Sequence, residues 1–177
     1  MKSNRKKIKI AIDGPAASGK STTARAVARE LNYIYIDSGA MYRAVTLKAL
    51  RKGVRMEDRD RVAELARETE LKFKKNHQKT IIYMDGEDVS EQIRTPEIDR
   101  NISPVAANPQ VREILVQKQQ EMGKMGGVVM DGRDIGTVVF PDAELKIFMK
   151  ATVRERARRR LKELEQKGVS VDFNKVV

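Results

Sequence analysis

The spacing of apolar residues along this chain changes several times, and each change marks a new element. Residues 8 to 12, I-K-I-A-I, form a short β-branched run that feeds straight into a glycine turn, as a buried strand does. Beyond the turn, Ala24, Val27, Ala28 and Leu31 recur at helical spacing while Arg25, Arg29 and Glu30 fall between them. Tyr33 to Ile36 reads as a second strand ending at Asp37, and Ser38 is placed to cap a helix that Gly53 closes. Residues 57 to 70 carry Val62, Leu65, Ala66 and Thr69 on one helical face.

The period then drops to two. Leu71 and Phe73 alternate with lysines, N-H-Q forms a polar turn, and T-I-I-Y-M runs into Asp85-Gly86, a strong hairpin signal. Residues 71 to 90 therefore read as a small antiparallel unit set into an otherwise alternating chain. Pro96, Pro104 and Pro109 are each expected in the first turn of a helix. The helix after Asn108-Pro109 places Val111, Leu115, Lys118 and Met122 in one row, with the lysine snorkelling at its edge. Val128 to Met130 and Leu145 to Met149 are further strands. The last helix opens with Thr152 and Glu155 as a capping box and shows Val153, Ala157, Leu161 and Leu164 on its apolar side. Strands alternating with helices predict an α/β domain around a mainly parallel sheet, with ligands beyond the carboxyl ends of the strands.

At 177 residues the chain suffices for one core and a small insert. Its formal net charge of +11 favours anionic partners, but aromatics at 5% and the lack of tryptophan provide poor stacking platforms for a single strand of nucleic acid. Small nucleotides are the better fit. The absence of cysteine removes disulfides and thiolate chemistry, and Lys9 and Asp13 interrupt the first apolar run too early for a signal peptide. A soluble, cytoplasmic protein is expected.

Gly14 to Ser21 reads G-P-A-A-S-G-K-S, the phosphate-loop pattern G-x-x-x-x-G-K-[ST], between the predicted strand and helix. A chance match in a chain of this length is on the order of one in a hundred or less. Backbone N–H groups from Ala16 to Ser21 would face phosphate oxygens, Lys20 would reach the β and γ phosphates, and the Ser21 hydroxyl would face Mg²⁺. D-S-G-A-M-Y-R at 37 to 43 puts Arg43 early on a helix, where it can clamp a second phosphate, although taken alone a surface arginine on an ordinary helix is the better reading. D-G-R-D at 131 to 134 offers Asp131 to a water on Mg²⁺ and Arg133 to a phosphate. Arg154, Arg156, Arg158, Arg159 and Arg160 share the last helix; positive charge on a closing helix is what phosphoryl transfer asks of a protein. These features describe a kinase.

G-P-A-A-S-G-K-S-T, D-S-G-A-M-Y-R, D-G-E-D-V-S-E-Q-I-R-T-P-E-I at 85 to 98, S-P-V-A-A-N-P-Q-V-R at 103 to 112 and D-G-R-D-I-G-T-V-V-F-P-D-A at 131 to 143 together resemble the bacterial cytidylate kinases, from about residue 8 to residue 173. The resemblance implies a P-loop NTPase-type three-layer domain with a small antiparallel monophosphate-binding insert and an arginine-rich helical lid. It implies transfer of the γ-phosphoryl group of ATP to CMP or dCMP with Mg²⁺. The core would comprise 1 to 64 and 106 to 177, with the lid at about 150 to 170 and the CMP-binding insert at 65 to 105.

By position, Gly14, Pro15, Ala16, Ala17, Ser18, Gly19, Lys20, Ser21 and Thr22 would hold ATP, with Ser21 and, through water, Asp131 on the metal. Ser38, Arg43, Ser103, Arg112, Arg133 and Asp134 would hold CMP, and Lys20, Arg133, Arg154 and Arg158 would act on the transferring group. Cytosine suits this set: its N4 amino group donates and asks for an acceptor such as Asp134, while N3 and O2 ask for a donor such as Arg112. No nucleic-acid or membrane partner and a monomeric state are expected. The family continues past the lid with a last strand and helix, so these two are expected to be missing here, leaving the strand at 145 to 149 as an apolar sheet edge and CMP turnover open. Three other readings stand beside this one: a truncated, inactive kinase fragment, a basic nucleic-acid-binding module, and a regulatory P-loop protein, whose N-K-x-D motif would start at Asn174-Lys175 but meets Val177 at its fourth position.

Overall fold

The computed structural model describes residues 7–76 and 79–166. Part of the N-H-Q turn, the lysines before residue 7 and the segment V-S-V-D-F-N-K-V-V, which includes Asn174-Lys175, lie outside the described residues.

Four strands, β1 (Lys9–Asp13), β2 (Ile34–Asp37), β6 (Val128–Gly132) and β7 (Leu145–Phe148), make a sheet of order β2-β6-β1-β7 in which every pair is parallel. Both faces of its central strands are buried, and alternate side chains enter different cores. Ile10, Ile12, Tyr35 and Val129 pack on Ala24 and Ala28 of α1 (Lys20–Glu30). Ala11, Ile36, Val128 and Met130 face the larger core built with α2 (Ser38–Arg51), α3 (Arg59–Glu68) and α5 (Pro109–Gly123). This is the three-layer α/β arrangement that the alternating pattern predicts. β7 pairs with β1 and stands at the edge, with Leu145 43% and Phe148 61% exposed.

Between α3 and α5, β3 (Leu71–Asn76), β4 (Lys79–Met84) and β5 (Glu87–Asp88) form the antiparallel sheet, followed by α4 (Pro96–Ala107). Asp85 at φ 51 and Gly86 at φ 88 make the tight β4–β5 turn, a pair of left-handed residues that an Asp-Gly dipeptide accommodates. Lys48 pairs with Asp85 at 2.8 Å and Arg51 with Glu87 at 2.7 Å, so α2 holds this sheet against the core. Lys118 crosses to the carboxyl end of α3, donating to the carbonyls of Thr69 at 3.0 Å and Arg67 at 3.2 Å. The snorkelling lysine is thus a helix cap.

Three local expectations change. Asp37, not Ser38, caps α2: its Oδ1 accepts from the Ala40 N–H at 3.0 Å, and Ser38 is the first helical residue. Pro96 and Pro109 open α4 and α5, but Pro104 lies inside α4, where its missing N–H leaves the helix one internal bond short. The capping box of α6 (Val153–Gln166) closes in one direction only: the Glu155 N–H donates to Thr152 Oγ1 at 3.2 Å, while the Glu155 carboxylate takes Arg158 and Arg159. Among the described residues no helix is long and apolar enough to cross a membrane.

Candidate active site

The phosphate loop joins β1 to α1 between Asp13 and Lys20. Ala17 at φ 58 and Gly19 at φ 96 both adopt left-handed conformations, so successive N–H groups turn toward a common point at the start of a helix. A side chain at Gly14 would run into the Met149 carbonyl at the end of β7, which keeps the loop tight against the sheet. The Ser18 hydroxyl is buried inside the loop with no hydrogen-bond partner. Lys20 Nζ donates to the Pro15 carbonyl at 3.2 Å. Burial lowers the pKa of this lysine, and the negative charge of Asp131 opposes that shift.

Asp131, near the end of β6, is the hub between this loop and the rest of the site. Its Oδ2 accepts from the Ser21 hydroxyl at 2.7 Å and its Oδ1 from the Tyr35 hydroxyl at 2.8 Å, while its carbonyl accepts from Ser38 Oγ at 2.7 Å. Burial, and then the nearby charge of Asp37, push the Asp131 carboxyl above its ordinary range. Burial also pushes the Tyr35 phenol far up, so it remains a hydrogen-bond donor. Ser21 and Asp131 supply hard oxygen donors, and among the described residues no group of three or more His, Cys, Asp or Glu converges to hold a metal. A hydroxyl and one carboxylate, with the remaining positions left to water and phosphate, fit Mg²⁺.

Beyond Tyr35 lies a cleft of about 800 Å³ lined by Arg25, Asp37, Arg43, Arg94 and Asp99 among others. Arg43 Nη1 donates to Asp99 Oδ1 at 2.6 Å and to the Ile93 carbonyl at 3.3 Å; Arg94 Nη2 donates to Asp37 Oδ2 at 2.6 Å. Arg43 and Arg94 are thus each already pointed by a carboxylate. One position before Arg43 on α2, Tyr42 lies within electrostatic reach of Arg112 and Asp134. Those two pair at 2.5 Å, and the Asp134 carboxylate holds the Arg112 guanidinium above its usual range. Arg133 is exposed, and its charge contributes to lowering Lys20. Ser38 is spent beneath Asp131, and Ser103 sits exposed on α4. Sequence reasoning did not single out Tyr35, Asp37, Tyr42, Arg94 or Asp99. Asp37, Tyr42 and Arg94 stand inside the motifs quoted above, which is the signal that could have found them.

Helix α6, the expected lid, meets the phosphate loop along one flank. Ala157 is buried, and with Val153, Arg156, Arg160 and Glu163 it faces Ala16 and Ala17 across a recess of about 210 Å³. Arg159 Nη1 donates to the Ala17 carbonyl at 3.3 Å while its Nε donates to Glu155 at 2.7 Å. Arg154 and Arg158, expected at the transferring group, lie on the other flank in a recess of their own with Thr152 and Glu155. Arg158 is tied to Glu155 and exposed. The apolar stripe of α6 fixes which side packs inward, and the arginines three or four residues apart on either border of that stripe end up on opposite flanks.

The cytidylate kinase family model matches residues 10–177. A cytidylate kinase of Caldanaerobacter subterraneus subsp. tengcongensis is 51% identical over 170 residues, 96% of this chain and 74% of that protein. The cytidylate kinase of Caldicellulosiruptor bescii is 52% identical over 168 residues, with 95% and 74% covered. That of Pelotomaculum thermopropionicum is 53% identical over 169 residues, with 95% and 75% covered. With a phosphate loop on one side of Asp131 and an arginine-lined cleft on the other, and with identity of this extent over nearly its whole length, the chain belongs to the cytidylate kinase family.

Proposed function

We propose that this chain binds ATP on residues 14 to 22 and CMP or dCMP in the arginine-lined cleft, and transfers the γ-phosphoryl group between them. The observation that carries the reading is Asp131, which touches Ser21 of the phosphate loop and Tyr35 of the cleft wall through its two oxygens. Two nucleotide sites sharing one carboxylate are placed for direct exchange, not for separate use. A phosphate oxygen of CMP forms a bond to the γ-phosphorus as the β–γ bridging bond breaks, and that bond's electron pair leaves on ADP.

Ser21 would hold Mg²⁺ directly and Asp131 through water, and the ion would neutralise charge on the phosphate oxygens. Lys20, freed from the Pro15 carbonyl, would follow the β and γ phosphates, with Arg133 beside it. From the lid, Arg156, Arg159 and Arg160 would cover the donor phosphates in preference to Arg154 and Arg158, a reading that their side of α6 facing Ala16 and Ala17 supports. Residues 65 to 105 would serve as the insert that encloses the monophosphate, with Arg43 and Arg94 on its phosphate.

The Arg112–Asp134 pair sets a donor and an acceptor side by side. Cytosine presents an acceptor at N3 and a donor at N4, which this pair matches; uracil reverses both groups and would leave them unpaired. The test is ATP consumption with CMP, dCMP, UMP, AMP and GMP offered singly. CMP and dCMP are expected well ahead; equal rates across the panel, or turnover only with a polynucleotide present, contradict the proposal.

A further inference from the structure

Asp13 ends β1 one residue before the phosphate loop, and its buried carboxylate is committed to the opposite side of the site. Its Oδ1 accepts from the Ile135 N–H at 2.7 Å and its Oδ2 from the Gly136 N–H at 2.8 Å. These are the two residues that follow Arg133 and Asp134. The Asp13 carbonyl accepts from the Met149 N–H at 2.7 Å, at the start of the chain leading to the lid. Phosphate loop, 131–136 loop and lid strand thus converge on one residue.

We propose that Asp13 is a positioning residue that fixes the loop bearing Arg133 and Asp134 against the phosphate loop, so that both catalytic distance and cytosine selectivity depend on it. The inference rests on the reading of the site as a CMP kinase. A carboxylate suits this place because it offers one acceptor to each of two adjacent N–H groups; an amide would satisfy one and set a donor against the other. The contact has little slack. A Cβ on Gly136 would stand 3.3 Å from Asp13 Oδ2 and 3.3 Å from the Lys146 side chain, and on the other side Gly132 leaves no room for a side chain beside Ser38 and Ile135. Past this clamp the chain holds itself, as the Val138 N–H donates to the Asp134 carbonyl at 2.9 Å. The entry to the loop is therefore what Asp13 sets.

Asp13→Asn and Gly136→Ala, prepared beside the wild type, test this by initial rates with CMP and with UMP at saturating ATP, together with equilibrium binding of ATP. Both variants are expected to lower kcat/KM for CMP by about 10- to 100-fold, Asp13→Asn more than Gly136→Ala, as a displaced reacting group does. The CMP-to-UMP preference should shrink in both, while the ATP dissociation constant stays within about threefold. A folded Asp13→Asn protein with wild-type rate and preference overturns the proposal, as does a loss of ATP affinity as large as the loss of CMP turnover. If Asp13→Asn does not fold, Gly136→Ala decides by the same criteria. A wild type without preference for CMP over UMP contradicts the kinase reading itself, and is told apart by appearing before any substitution.

Discussion

Lys20 lies folded against its own loop, and a triphosphate would offer its ammonium stronger acceptors than the Pro15 carbonyl. Lys20→Ala is therefore expected to lower kcat by about 10²-fold or more with an unchanged melting temperature; turnover near that of the wild type would show the loop to be misread. In the proposed site Asp134 serves the other nucleotide. Asp134→Ala removes the acceptor for the cytosine amino group and should reduce the CMP-to-UMP preference by about 10- to 100-fold, the cost of an unmatched buried polar group. Paired titrations with ATP should show far less change. The gathering of Lys20, Ser21 and Asp131 at the strand ends was legible in the sequence because each stands in a motif that follows a predicted strand. Asp13, Arg94 and Asp99 were not. Arg94 meets Asp37 across 57 positions and Ile135 meets Asp13 across 122, and contacts at that range leave no trace in local spacing.

At the scale of elements, the strand–loop–helix at the amino end, the hairpin at Asp85-Gly86 and the helix of arginines could all be read from period and turn chemistry. The flank of α6 that meets the phosphate loop could not, because it follows from how Ala157 packs and not from the composition of the helix. Arg159→Ala is accordingly expected to raise KM for ATP by roughly tenfold, the loss of one charge-assisted contact, and to leave KM for CMP little altered. Arg158→Ala should leave both KM values little altered, and steady-state kinetics of the two variants distinguish the flanks.

The small sheet is held to α2 partly by charge, and this attachment carries a pH dependence. Hydrogen bonds from Arg51 and then Gln92 hold the Glu87 carboxyl down at about 2, against an ordinary value of 4.5. A depressed carboxyl stabilises the fold above its ordinary value and loses that contribution as pH falls through its folded value. The attachment should thus weaken between roughly pH 4.5 and 2. Acid titration of amide hydrogen exchange in β4 and β5 would follow this weakening, which Glu87→Gln should abolish.

Across the whole molecule, a net charge of +11 surrounds the two proposed nucleotide sites. Raising the ionic strength from about 0.01 M to 0.15 M shortens the screening length from about 30 Å to 8 Å, so KM for both nucleotides should rise; salt-independent KM values would confine the attraction to direct contacts. The more basic question is where the phosphoryl group goes. In the proposed function, an arginine-bearing helix already in contact with the phosphate loop through Arg159, and a cleft joined to that loop through Asp131, would deliver it to a nucleotide and not to water. The most direct measurement is transfer of label from ATP carrying radioactive γ-phosphate, with CMP present. Label appearing in CDP, with little inorganic phosphate and far less CDP formed by Lys20→Ala, is the expected result; label released chiefly as inorganic phosphate whether or not CMP is present would contradict the two-nucleotide site.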